Sequence, residues 1–203
     1  MSVKIKVCGI ASAAQAREID ALGADYLGVV FAPNSPRRVD LKLAREISAA
    51  RKRGRLVGVF TEPDIDFIRR AAEEARLDVA QLHFENSDKA ALALRGAVET
   101  WGVFSLSSIA DVDAAAQSPA DRVLVDSRSG GQFGGTGVCA DFRLARELSR
   151  RREIVLAGGM SLENAARAAA EVRPFAIDVN SRFETAPGVN DTALLKKLFE
   201  LKL

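Results

Sequence analysis

Eight short and almost continuously apolar segments are spread evenly along the 203-residue chain. They occupy residues 3–10, 26–31, 56–60, 79–83, 101–106, 123–126, 154–157 and 175–179. Strands that face solvent on one side alternate apolar and polar residues, whereas continuous runs of Val, Ile, Leu and Phe are typical of strands covered on both faces. The pattern therefore predicts eight buried, parallel β-strands.

The segments between these strands carry helical signals. Ser12, followed three residues later by Gln15, predicts the start of a helix, and Gly23 predicts its end. Asp40 and Asp64 each precede apolar residues at helical spacing, which is the place of an N-cap. The final helical segment puts four leucines on one face. They are Leu194, Leu195, Leu198 and Leu201.

The predicted strands begin 21 to 31 residues apart, which is about the length of one βα unit. Eight such units predict an α/β fold, a single-domain (β/α)8 TIM barrel over residues 1–203. The alternative is an open doubly wound sheet, which would be expected to carry a GxGxxG turn after its first strand. That strand ends instead in Cys-Gly-Ile-Ala, at residues 8–11, so the barrel is favoured.

Composition excludes several classes of function. The net charge of +2 and the lack of interleaved basic and aromatic residues argue against nucleic acid as a partner. No run of 18 apolar residues occurs and the chain starts directly on a strand, so no membrane span and a cytoplasmic location are expected. The two cysteines, Cys8 and Cys139, and the single histidine, His83, lack metal-ligand spacing. No metal is expected.

Polar residues follow the predicted strands at the barrel end where functional groups lie. They are Cys8, Arg37, His83, Asp126 and Asp178. A thiol is only a few per cent ionised at neutral pH, so a catalytic Cys8 would need a polarising neighbour or a helix N-terminus; the alternative is a small buried apolar residue. Asp126 could be a general acid if burial raises its pKa, or it could cap a helix.

Glycine-rich segments follow the sixth and seventh predicted strands. The first includes Gly135 and Gly137, and the second is Gly158 with Gly159. Because glycine lets backbone N–H groups surround an anion, these segments and the nearby Ser181 and Arg182 predict a phosphate site. The alternative is that the glycines only shape tight turns.

Taken in order, the strand-end motifs resemble those of phosphoribosylanthranilate isomerases over nearly the whole chain. The motifs are Lys6-Val7-Cys8-Gly9-Ile10, Ser35-Pro36-Arg37, Val57-Gly58-Val59-Phe60, Gln81-Leu82-His83, Val125-Asp126-Ser127, Gly134-Gly135-Thr136-Gly137, Leu156-Ala157-Gly158-Gly159, Ile177-Asp178-Val179-Asn180-Ser181 and the tail from Glu184 to Asp191. Three positions depart from the family's usual residues, namely Ala11, Phe84 and the segment from Asn180 to Arg182. None of them removes a catalytic residue.

The resemblance implies an Amadori rearrangement of a sugar phosphate in tryptophan biosynthesis, without a cofactor. Asp126 then corresponds to the general acid and Cys8 to the general base, while Arg37 would hold the anthranilate carboxylate. Asp178 would contact a sugar hydroxyl or order the site, and His83 would be either structural or close to the substrate. The resemblance leaves the chain either a monomer or a homodimer.

Two rival functions are less favoured. The related histidine-pathway isomerase is similar to a two-fold repeat with aspartates at strands 1 and 5, whereas this chain has Cys8 at strand 1 and no acid between Trp101 and Ser108. A non-catalytic phosphate-binding barrel is the other rival. The presence of Cys8, Arg37 and Asp126 argues against it.

Overall fold

Eight parallel strands pair side by side and close into a barrel in the computed structural model, which describes residues 2–126 and 141–203. The strands are β1 (Lys4–Cys8), β2 (Tyr26–Val30), β3 (Arg55–Phe60), β4 (Val79–Leu82), β5 (Glu99–Phe104), β6 (Arg122–Val125), β7 (Ile154–Leu156) and β8 (Ala176–Val179). Each strand pairs with the next, and β8 pairs with β1. The predicted (β/α)8 barrel is confirmed.

Helices on the outside of the barrel connect successive strands. They are α1 (Ala13–Leu22), α2 (Leu41–Ala50), α3 (Ile65–Glu74), α4 (Ser87–Leu94), α5 (Ile109–Gln117), α6 (Phe142–Ser149), α7 (Leu162–Val172) and α8 (Thr192–Glu200). A short 3-10 helix (Ser181–Phe183) and a hairpin of β9 (Glu184–Ala186) and β10 (Val189–Asn190) lie between β8 and α8. This extra segment lies beside the C-terminal end of the barrel.

The predicted caps explain where several helices begin and end. The Ser12 hydroxyl accepts from the N–H of Gln15. The Oε1 atom of Gln15 accepts from the backbone N–H of Ala11 and not from that of Ser12, so the reciprocal half of the predicted capping box is displaced by one residue. Gly23 ends α1 in the left-handed region, at φ +106°. Asp40 and Asp64 cap α2 and α3 as predicted.

The ends of β1 and α8 differ from the sequence prediction. β1 ends at Cys8 instead of residue 10 because Gly9 adopts φ +88°, which no extended strand allows. At the other end of the chain, Leu195 and Leu198 are buried as expected. Leu201 is 42% exposed, because α8 ends at Glu200 before this leucine could complete the apolar face.

Side chains fill the interior of the barrel in layers, so the barrel is packed and is not a channel. The layer nearer the N-terminal ends of the strands is apolar and includes Tyr26, Trp101 and Leu124. Nearer the C-terminal ends, Cys8, Val30 and Val59 form a smaller cluster. Cys8, Val30 and Val59 border an open cavity, which lies at the C-terminal end of the strands.

None of the helices within residues 2–126 and 141–203 is both long and apolar enough to cross a membrane.

Candidate active site

An open cavity lies at the C-terminal end of the barrel. Nine of the predicted site residues line it. They are Cys8, Arg37, His83, Asp126, Gly158, Gly159, Asp178, Ser181 and Arg182. Gly135 and Gly137, also predicted, lie outside the described residues, as does Cys139. The structure thus brings together in one cavity every predicted site residue that it describes.

Cys8 is held at the end of β1 against β2. Its side chain faces the barrel interior and is nearly buried, and the N–H groups of Gly9 and Ile10 both donate to the carbonyl of Gly28. A Cβ atom added to Gly28 would lie 2.9 Å from the Cys8 Sγ atom and 3.1 Å from the Cys8 Cα atom. Glycine at position 28 therefore makes the room that the thiol occupies.

A buried ion pair lies directly below Cys8. Lys6 precedes Cys8 by two residues on β1, so both side chains face the barrel interior, and its Nζ atom lies 2.7 Å from Oδ2 of Asp178. Lys6 has no exposed surface, and only 8% of the Asp178 side chain is exposed. Of the two roles expected for Asp178, ordering of the site is the one that this contact supports.

The pKa values of this group depend on one another. Burial alone would lower the pKa of Lys6, but the charge of Asp178, with a smaller contribution from Cys8, raises it above its ordinary value. Burial raises the pKa of the Cys8 thiol; the charge of Lys6 opposes that rise and the charge of Asp178 adds to it. Lys6 therefore stays charged, and its charge favours the thiolate form of Cys8.

Asp126 immediately follows β6 and faces the same cavity. Its backbone N–H donates to the carbonyl of Phe104, and the residue is 8% exposed. α6 has a different cap, Asp141, whose carboxylate accepts from the N–H of Arg143. Asp126 is therefore not the cap of α6, and the alternative that it caps a helix stays a prediction because the segment that follows it lies outside the described residues.

Arg37 is fixed by a carboxylate that the sequence analysis noted only as part of a tail motif. Its Nε atom donates to Oε1 and Oε2 of Glu184, at 2.8 and 3.1 Å, and its Nη2 atom also contacts Oε2. Glu184 in turn accepts from the N–H of Gly188. The bonds with Glu184, despite some burial, raise the pKa of Arg37. Arg37 is a permanently charged group at the cavity wall.

The predicted phosphate site is formed by two loops, one after β7 and one after β8. Gly158 and Gly159 adopt φ +78° and +67°, a region that favours glycine, and the side chain of Asn164 donates to the Gly159 carbonyl at 3.0 Å. Ser181 and Arg182 begin the 3-10 helix after β8, on the adjacent part of the cavity wall. Both loops therefore have the irregular backbone that an anion site requires.

Sequence reasoning gave no role to three residues of the site. Lys6 had a weak signal, a lysine inside an apolar strand. Glu184 had no local signal beyond its place in the tail motif, because its partner Arg37 lies 147 residues away in the sequence. Gln81 is 4% exposed and lines the cavity, and no described group hydrogen-bonds to its Oε1 atom. A buried carbonyl without a partner is suited to bind a ligand donor.

Phe84, one of the departures from the family pattern, is half-buried and packs against the hydrophobic core between strands and helices. Within residues 2–126 and 141–203, no group of three or more His, Cys, Asp or Glu side chains could hold a metal ion.

Comparison with known proteins agrees with this architecture. The model of the N-(5'phosphoribosyl)anthranilate (PRA) isomerase family matches residues 5–201. An N-(5'-phosphoribosyl)anthranilate isomerase from Rubrobacter xylanophilus is 36% identical over 199 residues, covering 96% of each chain. The crystal structure of the phosphoribosyl anthranilate isomerase from Thermus thermophilus is 36% identical, with a TM-score of 0.87 over 98% of this chain and 97% of that one.

A third comparison concerns a phosphoribosyl anthranilate isomerase in complex with reduced 1-(o-carboxyphenylamino)-1-deoxyribulose 5-phosphate. It is 30% identical, with a TM-score of 0.86 over 98% of this chain and 97% of that one. The family match runs from the first barrel strand to the last helix. The chain therefore belongs to the N-(5'-phosphoribosyl)anthranilate isomerase family, and it is an isomerase of tryptophan biosynthesis.

Proposed function

We propose that this isomerase performs its Amadori rearrangement with Asp126 as general acid and Cys8 as general base. The substrate is N-(5-phosphoribosyl)anthranilate and the product is 1-(2-carboxyphenylamino)-1-deoxyribulose 5-phosphate. The observation that carries the proposal is that Cys8 and Asp126, from β1 and the end of β6, line one cavity. The related isomerase with the reduced product bound supports the same class of substrate here.

In the first step, Asp126 donates a proton to the furanose ring oxygen. The bond between that oxygen and C1 breaks, and the ring opens to a Schiff base that is protonated on the anthranilate nitrogen. Asp126 faces the cavity with 8% of its surface exposed, so a bound sugar would receive its proton largely out of contact with bulk water. The positive charge on the Schiff base is the electron sink for the next step, so the chemistry itself needs no cofactor.

In the second step, Cys8 removes the proton from C2. The electrons of the C–H bond form the enolamine, which then gains a proton at C1 and loses the hydroxyl proton at C2 to give the ketone. Cys8 must be ionised to accept the C2 proton, while Asp126 must begin protonated. Because the base and the acid act in opposite protonation states, kcat/KM is expected to have a bell-shaped dependence on pH, whose two limbs report macroscopic values for the pair.

The remaining residues bind the two ends of the substrate. Arg37 is proposed to hold the anthranilate carboxylate, a planar anion that suits a guanidinium group. Gly158, Gly159, Ser181 and Arg182 are proposed to bind the phosphate, together with Gly135 and Gly137 from the segment that the structure does not describe. Between the two ends, the sugar would lie near His83, Gln81 and Asp178, which line the cavity.

Some expectations from the sequence stay predictions. These are a cytoplasmic location, a monomer or a homodimer as the oligomeric state, and one catalytic domain over residues 1–203.

Turnover of the aminated sugar phosphate, followed by the loss of substrate fluorescence, tests the proposal. Cys8→Ala is expected to lower kcat by roughly two to four orders of magnitude with KM little changed. Cys139→Ala changes the chain's only other cysteine and serves as the matched control. Native turnover in a folded Cys8→Ala variant would exclude Cys8 as the base.

A second substrate separates the two roles. Asp126→Asn is expected to be severely impaired on the closed furanose and partly active on an open-chain Schiff-base analogue, whereas Cys8→Ala is impaired on both. If Asp126→Asn loses both activities equally, Asp126 is not the acid that opens the ring.

A further inference from the structure

A charged lysine lies inside the barrel, where its role in the reaction is open. Lys6 has no exposed surface, and its partner Asp178 occupies the register position opposite it on β8. Interior positions of such barrels are usually filled by branched apolar residues. A buried ion pair rarely stabilises a fold more than apolar residues of the same volume would, because both charges must leave water. The pair therefore calls for a function beyond stability.

Its position relative to Cys8 indicates that function. On a strand, residues two apart share a face and are separated by about 6 to 7 Å along the strand. Lys6 therefore lies one layer below Cys8 on the same face, while Asp178 reaches the cavity wall beside it. The thiol must ionise in a place from which water is largely excluded, and a nearby fixed cation offsets the cost of that ionisation.

We infer that Lys6 is a positioning residue whose buried ammonium group, held in place by Asp178, stabilises the thiolate form of Cys8. The catalytic consequence rests on the proposed function, in which Cys8 is the base. Among the described residues, the charged groups that act on the thiol are Lys6 from β1 and Asp178 from β8, and the Cys8 charge also acts on Arg37 from the loop after β2. Asp126, His83 and Arg182 line the same cavity.

Asp178 has two opposing effects in this arrangement. Its carboxylate keeps Lys6 protonated, and it also repels the thiolate. The effect of Lys6 on the thiol is larger than that of Asp178. Removal of both charges is therefore expected to raise the pKa of Cys8, as removal of Lys6 alone does, but by a smaller amount.

The test measures the thiol directly, without substrate. In a Cys139→Ser background, Cys8 is the only thiol, and its pKa is obtained from the pH dependence of thiolate absorbance and of alkylation by iodoacetamide. Lys6→Met is expected to raise this pKa by roughly one to three units, the usual effect of one close charge. Lys4→Met, the same change at the other end of β1, is the control and is expected to leave the pKa unchanged.

Lys6→Met leaves the Asp178 carboxylate buried without its partner lysine and can fail to fold. The double variant Lys6→Met/Asp178→Asn removes both charges, and circular dichroism with urea unfolding checks that it folds. Its Cys8 pKa is expected to lie above the native value and below that of Lys6→Met. An unchanged or lowered thiol pKa in either folded variant overturns the inference.

The pH profile of kcat/KM then separates this inference from the proposed function. If Cys8 is the base, one limb of the profile moves upward in Lys6→Met by the same amount as the thiol pKa, and kcat/KM at pH values below that limb falls by the corresponding factor. A thiol pKa that rises while the limb stays in place supports the role of Lys6 toward the thiol and overturns Cys8 as the base.

Discussion

The Arg37 guanidinium and the Glu184 carboxylate face each other across the cavity wall, with Nε of Arg37 2.8 Å from Oε1 and 3.1 Å from Oε2 of Glu184. The Glu184 side chain is only 3% exposed, whereas 19% of the Arg37 side chain is exposed. The pair therefore buries the acid and leaves part of the guanidinium accessible to a ligand. A long flexible side chain is fixed in one orientation before the substrate arrives, which lowers the entropy lost on binding.

Glu184→Gln is expected to raise KM for the aminated sugar phosphate by roughly tenfold, about the worth of one charge-assisted hydrogen bond. Glutamine has the same size but cannot accept the paired bonds of Arg37, so the guanidinium becomes less well oriented. The effect on kcat is expected to be smaller. Steady-state kinetics measure both constants, and Glu62→Gln, at an exposed site, is the control. An unchanged KM contradicts the orienting role of Glu184.

Gly9→Ala is expected to lower both stability and activity. Gly9 has φ +88°, and an added Cβ would lie 2.9 Å from Cδ of Arg37 and 3.1 Å from Oε1 of Glu184. Gly23 has φ +106° with no atom within 4 Å of its added Cβ, so Gly23→Ala carries the backbone strain without the clash. Gly23→Ala is expected to lose about 1 to 2 kcal/mol in urea unfolding, and Gly9→Ala, which adds the clash, is expected to lose more. Only Gly9→Ala should lose activity per folded molecule, and equal activities would contradict this.

Gly159→Leu tests the proposed phosphate end. A bulky side chain at φ +67° would displace the loop that follows β7. KM is expected to rise by more than kcat falls, because the phosphate is bound largely to the same extent in the ground state and the transition state. Gly96→Leu, at φ +82° beyond α4, carries the same backbone strain away from the cavity. If the folded Gly159 variant keeps the native KM, this loop does not bind phosphate.

The free energy of unfolding is expected to depend on pH because of Asp20, a buried carboxylate near the end of α1. Burial alone would raise its pKa, but the backbone N–H groups of Gly54, Lys52 and Arg53 donate to it and lower the pKa below its ordinary value. A lowered pKa stabilises the fold above the unfolded carboxyl pKa of about 4, and that stabilisation is lost as the pH falls through the folded value.

Asp20→Asn is therefore expected to cost about 2 kcal/mol at neutral pH, and the difference from the native protein should narrow in acid. Urea unfolding at several pH values measures this difference. Glu18→Gln, an exposed change on the same helix, provides the comparison. A difference that does not vary with pH would show that the charge of Asp20 is not what stabilises the loop after α2.

The fold was predictable because each strand carries its own local signal. Every apolar segment became a strand, and the polar residues at the strand ends met in one cavity because parallel strands of a barrel end on the same side. The pairs that hold the site together have no local signal. Lys6 and Asp178 are 172 residues apart and meet only when β8 closes onto β1. Glu184 reaches Arg37 through the extra hairpin, which no apolar run announces.

Because Gly28 lies so close to Cys8, the substitutions that are tolerated at these two positions on neighbouring strands depend on each other. A side chain at residue 28 would occupy the space of the thiol, and a larger residue at position 8 would press on the backbone of β2. In descendants of this sequence, a change at one position is expected to be retained only with a matching change at the other. Laboratory evolution toward a different base at position 8 should therefore begin from libraries that vary both residues together.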